Sequence, residues 1–80
     1  MTAKEMFEKL DYNLFVNKKG RIMEFRKRQV DMVRSIMFDL ECKTFTPKNI
    51  YDSGKAYGLN VTVDEIQAIT QQMKELGWIE

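Results

Sequence analysis

The chain has 80 residues, of which 44% are hydrophobic and 31% are charged, and its formal net charge is +1. This composition is typical of one globular domain and excludes a disordered or strongly polyionic chain. One cysteine, Cys42, and no histidine exclude an internal disulfide framework and a zinc site built from cysteine and histidine.

We expect neither a signal peptide nor a membrane-spanning segment. The first ten residues carry acidic side chains and no apolar run. No stretch approaches the roughly 20 apolar residues that a bilayer-spanning helix requires. Because a lone thiol also suits a reducing compartment, we expect a cytoplasmic protein without membrane contact.

The N-terminal segment predicts a short helix followed by a strand. Thr2 and Glu5 have the spacing of a capping box, and apolar residues follow at helical intervals, which predicts a helix over residues 3–10. Residues 12–16, YNLFV, favour a strand because they are rich in aromatic and branched side chains. A turn follows, in which Gly20 is free to take a positive φ.

The second strand is predicted over residues 21–26. Alternation along this strand places Met23 and Phe25 on one side, which we expect to face the core. Residues 27–31 are polar and predict a loop or the end of a hairpin.

The longest strand is predicted over residues 32–40. Asp39 indicates solvent on one face, so the opposite face, which also carries Arg34, is expected to supply core residues. These core residues are Ile36, Phe38 and Leu40. Residues 43–46 predict a returning strand, and Pro47 marks its end or a sheet edge because proline donates no ladder hydrogen bond.

The last two segments predict a loop over residues 48–60, which allows a short extended piece at residues 50–51, and an amphipathic helix within residues 62–78. Thr62 forms a second capping box with Glu65. An apolar stripe at helical spacing is expected to face the core and consists of Ile66, Ile69, Met73 and Leu76. Gly77 then predicts a C-terminal cap, with the following tryptophan folded back on the helix end.

Together these elements predict an α+β fold. We expect a three- to four-stranded antiparallel meander, covered on one face by the C-terminal helix and accompanied by a short N-terminal helix. All 80 residues are expected to form a single domain.

The uncovered face of this sheet provides the first candidate site. Ile22, Val33 and Met37 are predicted to lie there as an apolar strip, which is typical of a protein-binding or dimer surface. We therefore expect an unidentified protein partner or a homodimer. The sequence has no activated nucleophile, phosphate-binding glycine motif or metal-ligand spacing, so we expect no enzyme activity, cofactor, metal or small-molecule substrate.

The alternative function is non-specific nucleic-acid binding by the basic segment 18–28. Its six candidate phosphate contacts are Lys18, Lys19, Arg21, Arg26, Lys27 and Arg28. They stand against one acidic residue, Glu24, and favour loose phosphate contacts without sequence readout. The sequence lacks the basic recognition helix and exposed aromatic platform that would strengthen this interpretation.

Three blocks of the chain resemble one protein family. TAKEMFEKLDY resembles a TAEEMFEKLGY-like start, IMFDLECKTFTPK resembles an I-x-F-D-L-x-x-K-T-F-x-K core, and VTVDEIQAITQQMKELGW resembles an I-T-x-x-E-x-x-A-I-x-x-Q-x-x-E-L-G-W ending. These patterns are similar to small uncharacterised proteins of phages and prophages of Gram-positive bacteria. The resemblance implies an α+β fold and a phage setting, without an activity. Asp11 departs from the pattern, which has glycine at that position.

Overall fold

The structure is a computed structural model that describes residues 1–17, 19–58 and 60–80. Within these residues the chain forms two helices, α1 (Ala3–Lys9) and α2 (Val63–Glu75), and one antiparallel sheet. The strands are β1 (Asn13–Val16), β2 (Ile22–Arg28), β3 (Met32–Asp39), β4 (Thr44–Tyr51) and β5 (Ala56–Gly58), and they lie in sequence order. The predicted α+β meander with two helices is confirmed, with a short fifth strand added.

Both helices begin at the predicted capping boxes. The Thr2 hydroxyl accepts from the Glu5 amide at 3.2 Å, and the Glu5 carboxylate accepts from the Thr2 amide at 2.9 Å. The corresponding distances between Thr62 and Glu65 are 3.1 and 2.9 Å. These bonds satisfy amides that have no acceptor within the helix.

Helix α2 ends in a Schellman motif, as Gly77 predicts. The Trp78 amide donates to the Met73 carbonyl at 2.9 Å, and the Gly77 amide donates to the Lys74 carbonyl at 3.0 Å. Gly77 has a φ of 76°, which a residue without a Cβ adopts at low cost.

Helix α1 ends in the same motif, but with a non-glycine residue at the left-handed position. The Tyr12 amide donates to the Phe7 carbonyl and the Asp11 amide donates to the Glu8 carbonyl, both at 3.0 Å. Asp11 has a φ of 69°, which is unfavourable for a side chain with a Cβ.

The core lies between the helices and one face of the sheet. Its buried members are Phe7, Tyr12, Phe25, Ile36, Phe38, Ala68 and Ile69. Phe7 of α1 stacks on Phe25 of β2 with ring centroids 3.9 Å apart. Met23 and Leu40 pack against this cluster, so the faces predicted for β2 and β3 are confirmed.

The buried stripe of α2 differs from the predicted one. Ile69 is buried, and Met73 and Leu76 pack against the core, but Ile66 is 45% exposed. The helix instead buries Glu65 and Ala68. A hydrophobic pattern predicts that a glutamate faces solvent. Glu65 is instead buried because it forms an ion pair with Arg34.

The loop predicted over residues 48–60 is wrong for the end of β4 and for β5, but the extended piece allowed at residues 50–51 is confirmed as part of β4. Residue 59 of the predicted loop lies outside the described residues. β4 continues through Pro47, which lies opposite Ile36. The Tyr51 amide donates to the Lys55 carbonyl at 2.8 Å, and alternation from this bond directs the Pro47 nitrogen away from β3. Pro47 therefore removes no hydrogen bond between β3 and β4. Among the described residues, β5 pairs only with residues 48–50 of β4, which follow Pro47 in the sequence.

The loop or hairpin end predicted over residues 27–31 is confirmed for residues 29–31 but is too long at its start. β2 continues to Arg28, with Lys27 opposite Arg34 and Arg28 opposite Val33. Charged side chains do not interrupt this strand because a hairpin partner is available along its whole length. The predicted turn before β2 is confirmed by the φ of 65° at Gly20.

Candidate functional site

The sheet face opposite the helices, which we call the open face, is the main candidate surface. No helix in the described parts of the chain packs on it, because the side chains of both helices join the core cluster on the other side. Strand alternation and register place the following side chains on it: Phe15, Ile22, Glu24, Arg26, Arg28, Val33, Ser35, Met37, Asp39, Lys48 and Ile50.

The three predicted interface residues all lie on the open face and are half-buried. Ile22 and Met37 are diagonal neighbours on β2 and β3, because Met37 lies opposite Glu24. Val33 is separated from Met37 by Ser35. The predicted strip is therefore divided by polar residues, and its role as an interface stays a prediction.

Hydrogen-bonded polar residues, centred on Glu24, separate the apolar residues of the strip. Glu24 accepts from the Ser35 hydroxyl at 2.6 Å and from Arg26 Nη2 at 2.8 Å. Burial opposes ionisation of Glu24, but the hydrogen bonds from Arg26 and Ser35 outweigh it and lower the pKa of this carboxyl. The Arg26 guanidinium lies 4.5 Å from the centroid of the Phe15 ring. Two opposite charges of the open face thus neutralise each other.

The other arginines of the basic segment 18–28 are also paired. Arg21 Nε lies 2.7 Å from a carboxylate oxygen of Glu41, at one end of the sheet. Arg28 Nη2 lies 2.9 Å from a carboxylate oxygen of Asp52. Both pairs are solvent-exposed, so their contribution to stability is small.

The described lysines of the basic segment 18–28 do not lie on the open face. Lys27 lies on the covered side of the sheet, with Nζ 4.9 Å from the centroid of the Tyr12 ring. Lys19 lies exposed in the turn before β2, and Lys18 falls outside the described residues. The basic residues that the structure describes therefore form no single cationic surface.

The most strongly bonded polar cluster was missed by the sequence analysis and lies at the covered face. Arg34 Nε and Nη2 donate to the two carboxylate oxygens of Glu65 at 2.7 and 2.6 Å. Tyr12 donates its hydroxyl hydrogen to the same carboxylate. Arg34 Nη2 also donates to the Asn60 carbonyl at 2.6 Å, so the cluster joins β3, the start of β1 and the entry to α2.

The cluster fixes the protonation of its members. Burial opposes ionisation of Glu65, but hydrogen bonds from Arg34, the Thr62 amide and Tyr12 outweigh it and lower its pKa to about 2. Burial, and then the hydrogen bond to Glu65, raise the pKa of the Tyr12 hydroxyl well above its ordinary value. An ionised carboxylate with both oxygens engaged and a protonated phenol have no free group for acid–base chemistry, so the cluster acts as a structural connection.

One signal for this cluster was present in the sequence. Arg34 falls on the core-facing side of the predicted strand, where a buried cation needs an anionic partner. Glu65 was assigned only to the capping box, although one carboxylate oxygen serves both the Thr62 amide and Arg34. The pairing is separated by 31 positions and depends on tertiary packing, which local patterns do not encode.

The cluster borders a shallow depression of about 430 Å³. Its charged lining consists of Lys27, Arg34, Asp64 and Glu65. Two cations and two carboxylates balance each other there, so the depression has no net charge that would select an ionic ligand.

Other site types find little support in the described parts of the chain. Those residues contain no group of three or more potential metal ligands. They also contain no helix with the length and apolar character needed to cross a membrane. Cys42 is an exposed, free thiol.

Comparisons with protein-family models, with curated proteins and with solved structures find no match to this chain. The resemblance to phage and prophage proteins therefore stays a prediction.

Proposed function

We propose that the protein acts as a non-enzymatic binding module that recognises another protein through the open face. The observation that carries this proposal is the combination of paired charges and partly exposed apolar side chains on one face of the sheet. Glu24 and Arg26 neutralise each other, whereas Phe15 is 47% exposed beside them. Such a surface fits a flat, mainly apolar protein surface with little net charge.

The electrostatics of the open face favour a protein partner over a polyanion. Phosphate groups bind through cations that are free to release counterions. Arg26 is held by Glu24 and Arg28 is held by Asp52, so a phosphate would have to compete with a carboxylate at each arginine. Non-specific nucleic-acid binding by the basic segment 18–28 is therefore the weaker proposal.

The size of the open face limits the contact area that one copy of the chain offers. Five strands at about 4.8 Å spacing and a central strand of eight residues at about 3.3 Å each give an upper limit of roughly 600 Å². A standard interface buries about 800 Å² on each partner. One copy alone therefore offers less area than one side of a standard interface.

The sequence supports the host and the cellular location that we propose. The resemblance to phage and prophage proteins supports a role in a bacterial host, and the lone cysteine supports a cytoplasmic location.

A matched pair of variants tests the binding surface. Met37→Lys places an uncompensated charge on the open face, whereas Val30→Lys adds the same charge at a fully exposed position of the turn between β2 and β3. Affinity capture from a bacterial lysate should retain a protein on the native chain and on Val30→Lys, but not on Met37→Lys. Circular dichroism should show that both variants are folded.

The nucleic-acid alternative is tested in parallel. Fluorescence anisotropy should detect no salt-sensitive binding of duplex or single-stranded DNA at tens of micromolar protein. Salt-sensitive DNA binding that persists in Met37→Lys, or a captured protein that both lysine variants retain, would contradict the assignment of the open face.

A further inference from the structure

Strand β1 is a short edge strand that carries neither a charged residue nor proline. It is the first strand in the order of the sheet, and its outer side faces no other strand among the described residues. The segment 13–17, NLFVN, contains no charged residue and no proline, which are the features that commonly block edges. Val16 is 54% exposed at this edge.

The hydrogen-bond pattern shows which backbone groups of β1 are available. The Asn17 amide donates to the Ile22 carbonyl at 3.1 Å, so positions 17, 15 and 13 direct their backbone groups towards β2. The amides and carbonyls of Leu14 and Val16 alternate with these and therefore point away from the sheet. Two donors and two acceptors are thus presented at the edge.

The sequence of this edge is close to a palindrome. Read in either direction, it has asparagine at both ends, an aliphatic residue next to each asparagine, and Phe15 at the centre. Antiparallel pairing of two identical copies about Phe15 places Leu14 opposite Val16 of the second copy, and Phe15 opposite its own equivalent. Leu14 and Val16, whose backbone groups point outward in one copy, then lie opposite Val16 and Leu14 of the second copy.

We propose that two copies of this chain pair through β1 with a two-fold axis at Phe15, which joins their sheets into one continuous sheet of ten strands. The contact contains four backbone hydrogen bonds, in two reciprocal pairs between Leu14 and Val16 of the second copy. An unrelated peptide would satisfy the backbone groups equally well, but the uncharged and self-matching sequence selects a second copy.

The dimer would also enlarge the open face. Two open faces joined edge to edge give up to roughly 1,200 Å², which exceeds the area that one side of a standard interface buries. The edge contact itself covers only a few residues, so the dimer is expected to be weak and dependent on protein concentration. The proposal goes beyond the proposed function, because pairing is measurable without the protein partner.

Disulfide trapping tests the position of the two-fold axis. In a Cys42→Ser background, Phe15→Cys places two thiols on directly opposed residues, whose Cβ atoms lie about 5 Å apart. The control, Asn13→Cys, places them on the same strand and face but about 13 Å apart in the dimer. Phe15→Cys should form the disulfide-linked dimer at least tenfold faster than Asn13→Cys, and equal rates would overturn the proposed register.

Sedimentation of chains without an engineered thiol provides an independent measurement. Val16→Lys should weaken self-association at least tenfold, because it places a charge beside the pairing edge. Val30→Lys carries the same change away from the edge and should alter self-association less than twofold. The proposal would be overturned if the native chain remained monomeric at millimolar concentration, or if Val16→Lys and Val30→Lys weakened self-association equally.

Discussion

Arg34 and Glu65 form a two-bond ion pair that connects the N-terminal part of β3 with the first turn of α2. Only 3% of the Glu65 side chain and 13% of the Arg34 side chain are exposed. The planar guanidinium presents two parallel donors to the two carboxylate oxygens, a geometry that lysine does not offer. This pair explains why the buried face of α2 begins with a glutamate.

Arg34→Met should destabilise the fold strongly. The substitution leaves the Glu65 carboxylate buried without its cation, which costs about 3–5 kcal/mol, a large part of the stability of a domain of this size. Urea unfolding measures the change. Arg21→Met removes an exposed pair and should cost less than about 1 kcal/mol. Equal losses in the two variants would show that burial of the Arg34 pair has no special importance.

The stability of the protein should fall between about pH 4.5 and pH 2. The pKa of Glu65 is lowered from 4.5 to about 2 in the folded chain, so ionised Glu65 favours folding above its unfolded pKa. This contribution, about 3 kcal/mol, is lost as pH falls through the folded pKa. Urea unfolding at a series of pH values measures it. Glu65→Gln should remove much of this acid dependence, and an unchanged profile would contradict the assignment.

Asp11→Gly should stabilise the protein by about 0.5–1 kcal/mol. Asp11 has a left-handed backbone, which glycine adopts without the clash of a Cβ, and this gain exceeds the added entropy of the unfolded chain. The converse substitution, Gly77→Ala, should destabilise by a similar amount at the end of α2. Thermal unfolding measures both, and a lower melting temperature for Asp11→Gly would refute the interpretation.

Two isoleucines of α2 should differ sharply in their tolerance to truncation. Ile69→Ala removes a fully buried side chain and should cost about 2–5 kcal/mol. Ile66→Ala changes a side chain that is nearly half exposed and should cost about 1 kcal/mol or less. Denaturant midpoints compare the two, and similar losses would indicate that the predicted stripe, and not the observed one, is buried.

The sequence predicts features that depend on neighbouring residues and misses those that depend on distant ones. The capping box at Thr62 and the glycine cap at Gly77 are encoded within a few positions, and both are present. The burial of Glu65 depends on its ion pair with Arg34, and the formation of β5 depends on pairing with β4. Neither feature therefore has a strong local signal in the sequence. Ile66 is misassigned for the same reason, because periodicity fixes an apolar face but not its rotation.

The candidate surface was predicted in part. Alternation correctly placed Ile22, Val33 and Met37 on one face of the sheet. It did not show that Glu24 accepts a hydrogen bond from Ser35, because the relative register of two strands is set by the hairpin between them.

The buried cluster has a consequence for the order of events during folding. Tyr12 and Glu65 are separated by 53 positions, whereas β2 and β3 are joined by a short hairpin. Long chain segments must be ordered before Tyr12, Arg34 and Glu65 meet, so we expect their contacts to form after the folding transition state. Weakening them should then accelerate unfolding while leaving the refolding rate nearly unchanged. Stopped-flow measurements on Arg34→Lys would show this as a shift of the unfolding limb alone.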